Sequence, residues 1–308
     1  MKVAVLMGGT SPEREVSIKS GQAVLNALLS MGVDATGVLV EEETSCWFKK
    51  NLPIADVYFL ALHGGRGEDG TVQSILEDMG LKYTGSGPVA SSLAMDKFKS
   101  RMMFSRLGLA DISWLLVTKD SVRAPEFALP WVVKPINAGS SVGLSVVKGE
   151  GEFLSALEEA FMFSDKVLVE EFVVGRELTV GIVGDRVLEP IEIVPKESEI
   201  FDYQSKYTKG KTDYIIPALI PEELKRRVKE AGKRAYDVLG CQGYGRVDMI
   251  VDEKGKIVVL EVNSLPGMTE TSLLPMACRY EGLTFEDLCY RLCEMAMEKA
   301  SNVAEKKR

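Results

Sequence analysis

Histidine is nearly missing from these 308 residues, His63 being the single example. A zinc centre built on imidazole and thiolate ligands is thereby disfavoured, and a serine–histidine triad could draw its base from one position only. The five cysteines, Cys46, Cys241, Cys278, Cys289 and Cys293, form an odd set without a C-x-x-C pair. That pattern fits reduced thiols acting as small buried apolar residues, not a disulfide framework. Positive charge is short too: 37 Lys and Arg stand against 45 Asp and Glu, a net charge of −8. A broad nucleic-acid surface is excluded on that balance, and any bound anion must be held by local groups. No apolar run reaches the ~18 residues needed to span a bilayer. The opening MKVAVLMGG has neither the length nor the cleavage site of a signal peptide. The expectation is a cytoplasmic protein with no membrane partner.

What is present is core material: 46% of residues are apolar and 27% charged, which leaves no compositional case for disorder. Single cores seldom grow past roughly 250 residues, so this length predicts two or three packed subdomains with a cleft between lobes. Val3–Met7 reads as a strand ended by Gly8-Gly9, followed by a helical pattern from Val16 to Met31, a strand at Ala35–Val40 and a third at Asp56–Leu62 that runs into HGGRGEDG. Alternating strands and helices of this kind imply a mostly parallel sheet whose ligands collect at the carboxyl ends of strands, where GGTSPERE and HGGRGEDG lie. A helix at Thr71–Met79 follows, and the pattern breaks near Gly85–Pro88.

A helical stretch through Met95–Leu107 then leads to strands at Trp114–Thr118, Trp131–Lys134, Leu144–Val147 and Lys166–Phe172, with a helix at Glu152–Phe163. Further on come strands at Glu177–Val183 and Arg186–Val194, a polar loop from Pro195 to Asp213, a helix at Pro221–Leu239, a hairpin of Gly243–Val251 with Lys256–Val262, and a closing helix at Phe285–Ala300. The fold class expected is α/β with α+β lobes, divided at 1–95, 96–179 and 180–308. No internal repeat or low-complexity segment is visible.

The strongest constellation is GRVDMIVDEKGKIVVLEVNSLPG. Period-2 spacing puts Glu261 and Asn263 on one face of a strand, and Asp248 can face them across the hairpin. Two carboxylates and an amide oxygen suit hard Mg²⁺, although any one of them alone is an ordinary polar position on a sheet. Because KIVVLEVN is so apolar, Glu261 is expected in a desolvated setting that a cation or Arg246 would offset. A second constellation is the loop Ile136–Gly143, whose small residues let backbone N–H groups approach phosphates. It matches neither G-x-x-x-x-G-K-[ST] nor G-x-G-x-x-G, and a plain turn is its simpler reading. Lys134 ends the apolar strand beside this loop, where a fixed ammonium could reach a polyphosphate.

These motifs together resemble the D-alanine–D-alanine ligases of the ATP-grasp superfamily, over nearly the full length. GGTSPEREVSIKSG, ALHGGRGEDGTVQ, YTGSG, MDK, VVKP with GSSVG, DY with KY, GRVD and EVNSLPGMTETS occur in that family's order. The resemblance implies an ATP-grasp architecture of three subdomains with ATP between the central and carboxy-terminal lobes. Lys97, Lys134 and Ser141 would lie near its phosphates, Lys206 would also bind ATP, and Glu170 and Glu177 would lie where the family holds adenine and ribose. It implies two Mg²⁺ ions on Asp248, Glu261 and Asn263, with Mn²⁺ as a substitute and room for K⁺. Glu13, with His63 close by, would hold the first D-alanine's ammonium, Arg246 and the Gly267 N–H would stabilise an oxyanion, and Ser272 and Leu273 would take the second substrate's carboxylate. Ser140 and Tyr207 would orient the region with Glu13, and the loop with Tyr203, Lys206 and Tyr207 would act as a lid. Tyr207 further implies a dipeptide product over a D-alanyl–D-lactate ester, with a ligase for a different acceptor, D-lactate or D-serine, as the alternative. Ala138 and Glu270-Thr271 depart from common family residues and put fine tuning of substrate binding in doubt. A homodimer is expected on the same ground.

Overall fold

The computed structural model describes residues 1–139, 141–196 and 210–306. Ser140, Tyr203, Lys206 and Tyr207 lie outside the described residues, and with them the lid expected around 203–207.

The amino-terminal sheet is parallel. Strand β1 (Lys2–Gly8) lies between β2 (Asp34–Val40) and β3 (Val57–Leu60). Apart from exposed Lys2, β1 is buried throughout, as expected of a parallel strand covered on both faces. Helix α1 (Arg14–Ser30) makes the β1–β2 crossover. Its Ser17 hydroxyl accepts the Gly8 N–H at 2.8 Å and donates to the Ala61 carbonyl at 2.8 Å, fixing the ends of β1 and β3 beside each other. Two short helices, α2 (Ser45–Asn51) and α3 (Thr71–Asp78), complete the lobe.

The expected helical stretch through Met95–Leu107 is α5 (Lys97–Arg106), and a separate helix, α4 (Pro88–Met95), precedes it. They are separated by Asp96, whose backbone is extended and whose carboxylate caps α5 by accepting the Lys99 N–H at 3.0 Å. The cap places Lys97 at the first position of α5. Next comes a four-stranded antiparallel sheet in the order β4 (Trp114–Thr118), β7 (Lys166–Glu171), β5 (Trp131–Pro135), β6 (Ser145–Val147). It is backed by α6 (Phe153–Phe161), whose buried Phe153, Ala156, Leu157 and Ala160 pack on Val117, Val133 and Val169.

The third sheet is antiparallel in the order β11 (Thr212–Ile215), β10 (Ile191–Pro195), β8 (Arg176–Val183), β12 (Tyr244–Val251), β13 (Ile257–Asn263), with the two-residue β9 (Arg186–Val187) on β8. The expected strand Arg186–Val194 is thus divided, and Pro190, which has no N–H to donate, lies in the break. Strand β11 begins inside the expected polar loop. Helix α7 (Glu222–Val238) covers one face, and Ala90, Ala94 and Phe104 of α4 and α5 share its core. A short helix, α8 (Leu273–Tyr280), follows β13, and the final α9 (Phe285–Lys306) returns to the first lobe. There Leu288, Cys289, Leu292 and Cys293 enter the same core as Leu6, Leu28 and Leu60.

Candidate active site

Two cavities meet in the middle of the molecule. One, of about 760 Å³, opens between the two antiparallel sheets and has apolar walls at Val132, Val146, Phe172, Ile250 and Leu260. The other, of about 520 Å³, lies among α1, the segment after β3 and the segment after β13. Lys97 and Glu261 line both. Their side chains face each other across 3.4 Å, and the Lys97 ammonium also donates to the Ala138 carbonyl at 2.8 Å. Because that contact uses the backbone, the unusual side chain at Ala138 leaves it intact.

In the apolar cavity Lys134, Ser141, Glu170, Glu177 and Asp248 stand with Lys97 and Glu261. Glu170 is 2% exposed and ion-paired at 2.5 Å to both Lys134 and Arg101. Burial opposes its ionisation, but the Arg101 and Lys134 charges and their hydrogen bonds outweigh burial and hold the carboxyl down at about 2. Burial also pulls the Lys134 ammonium below the ordinary lysine range, Glu170 opposing and the Arg101 and Lys97 charges reinforcing the shift. Arg101, 1% exposed, goes on to donate to the Val259 carbonyl of β13 at 2.7 Å. It thereby ties the central sheet to the strand that carries Glu261. Ser141 sits at φ 59°, a left-handed conformation that costs a non-glycine residue on the order of 1 kcal/mol or more and marks a loop bent for a purpose.

The hairpin places Asp248 directly opposite Glu261, with a bulge after Asp248, and Arg246 opposite Asn263. Arg246 chelates Asp248 through two bonds of 2.8 Å, and Thr179 donates to the same carboxylate at 2.6 Å. Lys97 is the cation that faces Glu261. Among the described residues no three histidine, cysteine or acidic side chains converge on one point. The donor set is therefore two cross-strand carboxylates and the Asn263 amide, whose oxygen accepts the Leu265 N–H at 3.1 Å. All are hard oxygen donors; Asp248 and Glu261 line the apolar cavity, and Glu261 and Asn263 line the polar one. They fit Mg²⁺, which binds through one or two carboxylates and completes its shell with waters and phosphate oxygens.

The polar cavity gathers Glu13, His63, Arg246, Asn263, Gly267, Ser272 and Leu273. Glu13 stands at the amino-terminal boundary of α1 without a side-chain capping bond, where a carboxylate is favoured by the helix dipole. Its side chain packs so closely between Gly64 and Gly139 that a Cβ at either glycine would strike it. Ser272 precedes the first turn of α8, its hydroxyl bonded to Thr269 Oγ1 at 2.8 Å and to the Thr269 N–H at 3.1 Å. The first amide of that helix, Leu273 N–H, is one of the orphan donors that make helix starts receptive to carboxylates. Thr271 also borders this cavity, and Glu270 is ion-paired to Arg279 at 3.7 Å.

Every described residue given a catalytic, substrate, nucleotide or metal role from the sequence borders one cavity or the other. The sequence reading passed over Arg101, Glu68, Ser20 and Thr179. Arg101 and Ser20 look like ordinary helical residues, and only tertiary packing buries them; Glu68 is one acid in a loop that also holds Asp69.

Comparison with known proteins agrees with this geometry. Residues 103–294 match the family described as D-ala D-ala ligase C-terminus, and residues 44–86 the one described as D-ala D-ala ligase N-terminus. A D-alanine--D-alanine ligase of Geotalea uraniireducens is 48% identical over 303 residues, covering 97% of each chain. Among solved structures, the D-alanine--D-alanine ligase of Bacillus anthracis complexed with ATP superposes with a TM-score of 0.86 at 33% identity, covering 98% of this chain and 99% of that one. The VanG D-Ala:D-Ser ligase of Enterococcus faecalis does so with a TM-score of 0.83 at 30% identity, covering 96% and 99%.

Proposed function

The chain belongs to the D-alanine–D-alanine ligase family, and on that premise we propose that its two cavities divide the family's reaction, the apolar one taking ATP and the polar one two D-alanine molecules. The protein is an enzyme that joins two D-alanines into D-alanyl-D-alanine for cell-wall synthesis, with ATP as co-substrate. The observation that carries the division is that Lys97 and Glu261 belong to both walls, so the γ-phosphate and the first carboxylate can meet there.

Lys97, Lys134 and Ser141 bind the phosphates, Lys206 joins them from the lid, and Glu170 and Glu177 lie toward the base and ribose. Asp248, Glu261 and Asn263 would hold Mg²⁺, with Mn²⁺ as a substitute; when bound, the metal neutralises phosphate charge during transfer. Glu13 holds the ammonium of the first D-alanine, with His63 close by. That substrate's carboxylate attacks the γ-phosphorus, the bond to ADP breaks, and D-alanyl phosphate results. Ser272 and the Leu273 N–H then hold the second D-alanine by its carboxylate. Its amine, after losing a proton, attacks the acyl carbon while Arg246 and the Gly267 N–H stabilise the oxyanion. The carbon–oxygen bond breaks and phosphate leaves. Ser140, Tyr207 and Glu13 orient this region, and the 203–207 lid excludes water from the acyl phosphate.

The lobes 1–95, 96–179 and 180–308 serve substrate, nucleotide and metal in turn. The enzyme acts in the cytoplasm as a homodimer; no helix among the described residues is long and apolar enough to cross a membrane. Incubation with ATP, Mg²⁺ and D-alanine should yield dipeptide and phosphate in equal amounts, and phosphate without dipeptide would end the proposal. Adding D-serine or D-lactate in competition tests the alternative acceptor, and a dominant mixed product would establish it.

A further inference from the structure

We propose that Ser20 is a positioning residue: its hydroxyl joins His63 to the Met268 amide and so holds the segment carrying Gly267 against the amino-acid cavity. Ser20 is fully buried in α1 and borders the polar cavity, yet the reaction as described gives it no task. Its oxygen accepts the Met268 N–H at 3.2 Å and lies 3.0 Å from His63 Nε2. A serine hydroxyl has one proton to give, and among the described residues the acceptor placed for it is His63 Nε2.

The other face of the ring agrees. His63 Nδ1 looks toward Glu68 Oε1 at 3.6 Å, an electrostatic approach slightly longer than a hydrogen bond, and Glu68 Oε2 accepts the Gly64 N–H at 3.0 Å. An ionised carboxylate can only accept, so it favours a proton on Nδ1 and leaves Nε2 to accept from Ser20. The donors therefore run in one direction, from Met268 N–H to Ser20, from Ser20 to His63, and from His63 toward Glu68. This row links three segments far apart in sequence: the start of the turn after β3, the middle of α1, and the segment after β13.

Met268 directly follows Gly267, so anchoring its amide restricts the peptide next to the oxyanion donor. Removing the Ser20 oxygen leaves two buried polar groups short of a partner, which loosens that segment. A displacement of about 1 Å at a catalytic donor costs up to about a hundredfold in rate. The kinetic consequence rests on the ligase reading, whereas the proton order does not.

Since His63 is the only histidine, nitrogen NMR of protein labelled at the imidazole reads this one ring without assignment. In the unmodified enzyme the neutral ring should be the Nδ1–H tautomer with Nε2 accepting a hydrogen bond; a ring protonated at Nε2 instead overturns the proposal even if no variant folds. Ser20→Ala should shift the Nε2 resonance, speed hydrogen exchange at the Met268 amide, and lower kcat about ten- to a hundredfold with KM for ATP unchanged. Ser20→Thr, which keeps the hydroxyl, should recover most of kcat. Unchanged kcat and unchanged Met268 exchange in Ser20→Ala overturn the proposal. If the unmodified enzyme forms no dipeptide at all, the ligase reading fails, and the tautomer and exchange data still decide the role of Ser20.

Discussion

Lys97 Nζ lies 3.4 Å from Glu261 Oε2 where the apolar and polar cavities share a wall. The pair keeps a cation and an anion in reserve at the seam: the lysine is suited to a phosphate, the glutamate to a metal. Glu261→Gln should abolish measurable ligation while leaving the thermal midpoint nearly unmoved, since a partly exposed pair of this kind contributes about 1 kcal/mol or less. Coupled phosphate-release assay and calorimetry on the same sample check both halves. Undiminished turnover removes the metal assignment.

Arg101→Met should lower stability by about 3–5 kcal/mol, because it strips one of two cations from a fully buried carboxylate. Urea unfolding measures it. KM for ATP should rise in the same variant, as Lys134 is left as the sole cation on Glu170.

Acid should act through Glu170. Its folded-state value of about 2 lies below the 4.5 of the free group, so its contribution is fully present above pH 4.5 and is lost as pH falls from there toward 2. The full contribution is roughly 3 kcal/mol. Urea midpoints taken from pH 6 down to pH 3 should fall more steeply for the natural protein than for Glu170→Gln. Parallel curves would show that the carboxylate is not held by these cations.

Gly139→Ala tests the seat of Glu13. The added Cβ would lie 2.8 Å from Glu13 Oε2, so the carboxylate must move. KM for the first D-alanine should rise about tenfold or more, in line with a displaced charge-assisted hydrogen bond, with KM for ATP unchanged. Substrate-saturation curves in each substrate distinguish the two.

Thiol reagents should find one site. Cys46 is exposed, whereas Cys241, Cys278, Cys289 and Cys293 are buried, and burial pushes the thiols of Cys241, Cys278 and Cys293 up to about 12. A disulfide reagent should titrate one thiol per native chain and five after denaturation, with ligation unaffected by the first.

Much of this architecture is legible in the residues. The β12–β13 hairpin declares itself through period-2 alternation around Asp252–Gly255, and it carries Asp248, Glu261 and Asn263 to one edge in the expected register. The Asp96 break was less visible, because Lys97–Leu107 continues a helical pattern and only the capping carboxylate ends the first helix. Arg101 was invisible: an arginine on a helix is ordinarily solvated, and its burial depends on Glu170 and the β13 carbonyls arriving from distant segments. The row from Met268 to Glu68 has the same origin, since no spacing along the chain announces that α1 and the segment after β13 will touch.

The docking of α9 onto α1 and β3 has a consequence for biosynthesis. Leu28 and Leu60 leave the ribosome well ahead of Leu288, Leu292 and Cys293, which share their core. Such distant pairing closes slowly, so the sheet of β1, β2 and β3 waits half-finished until α9 is made, a stage at which holdase chaperones have an exposed greasy surface to grip.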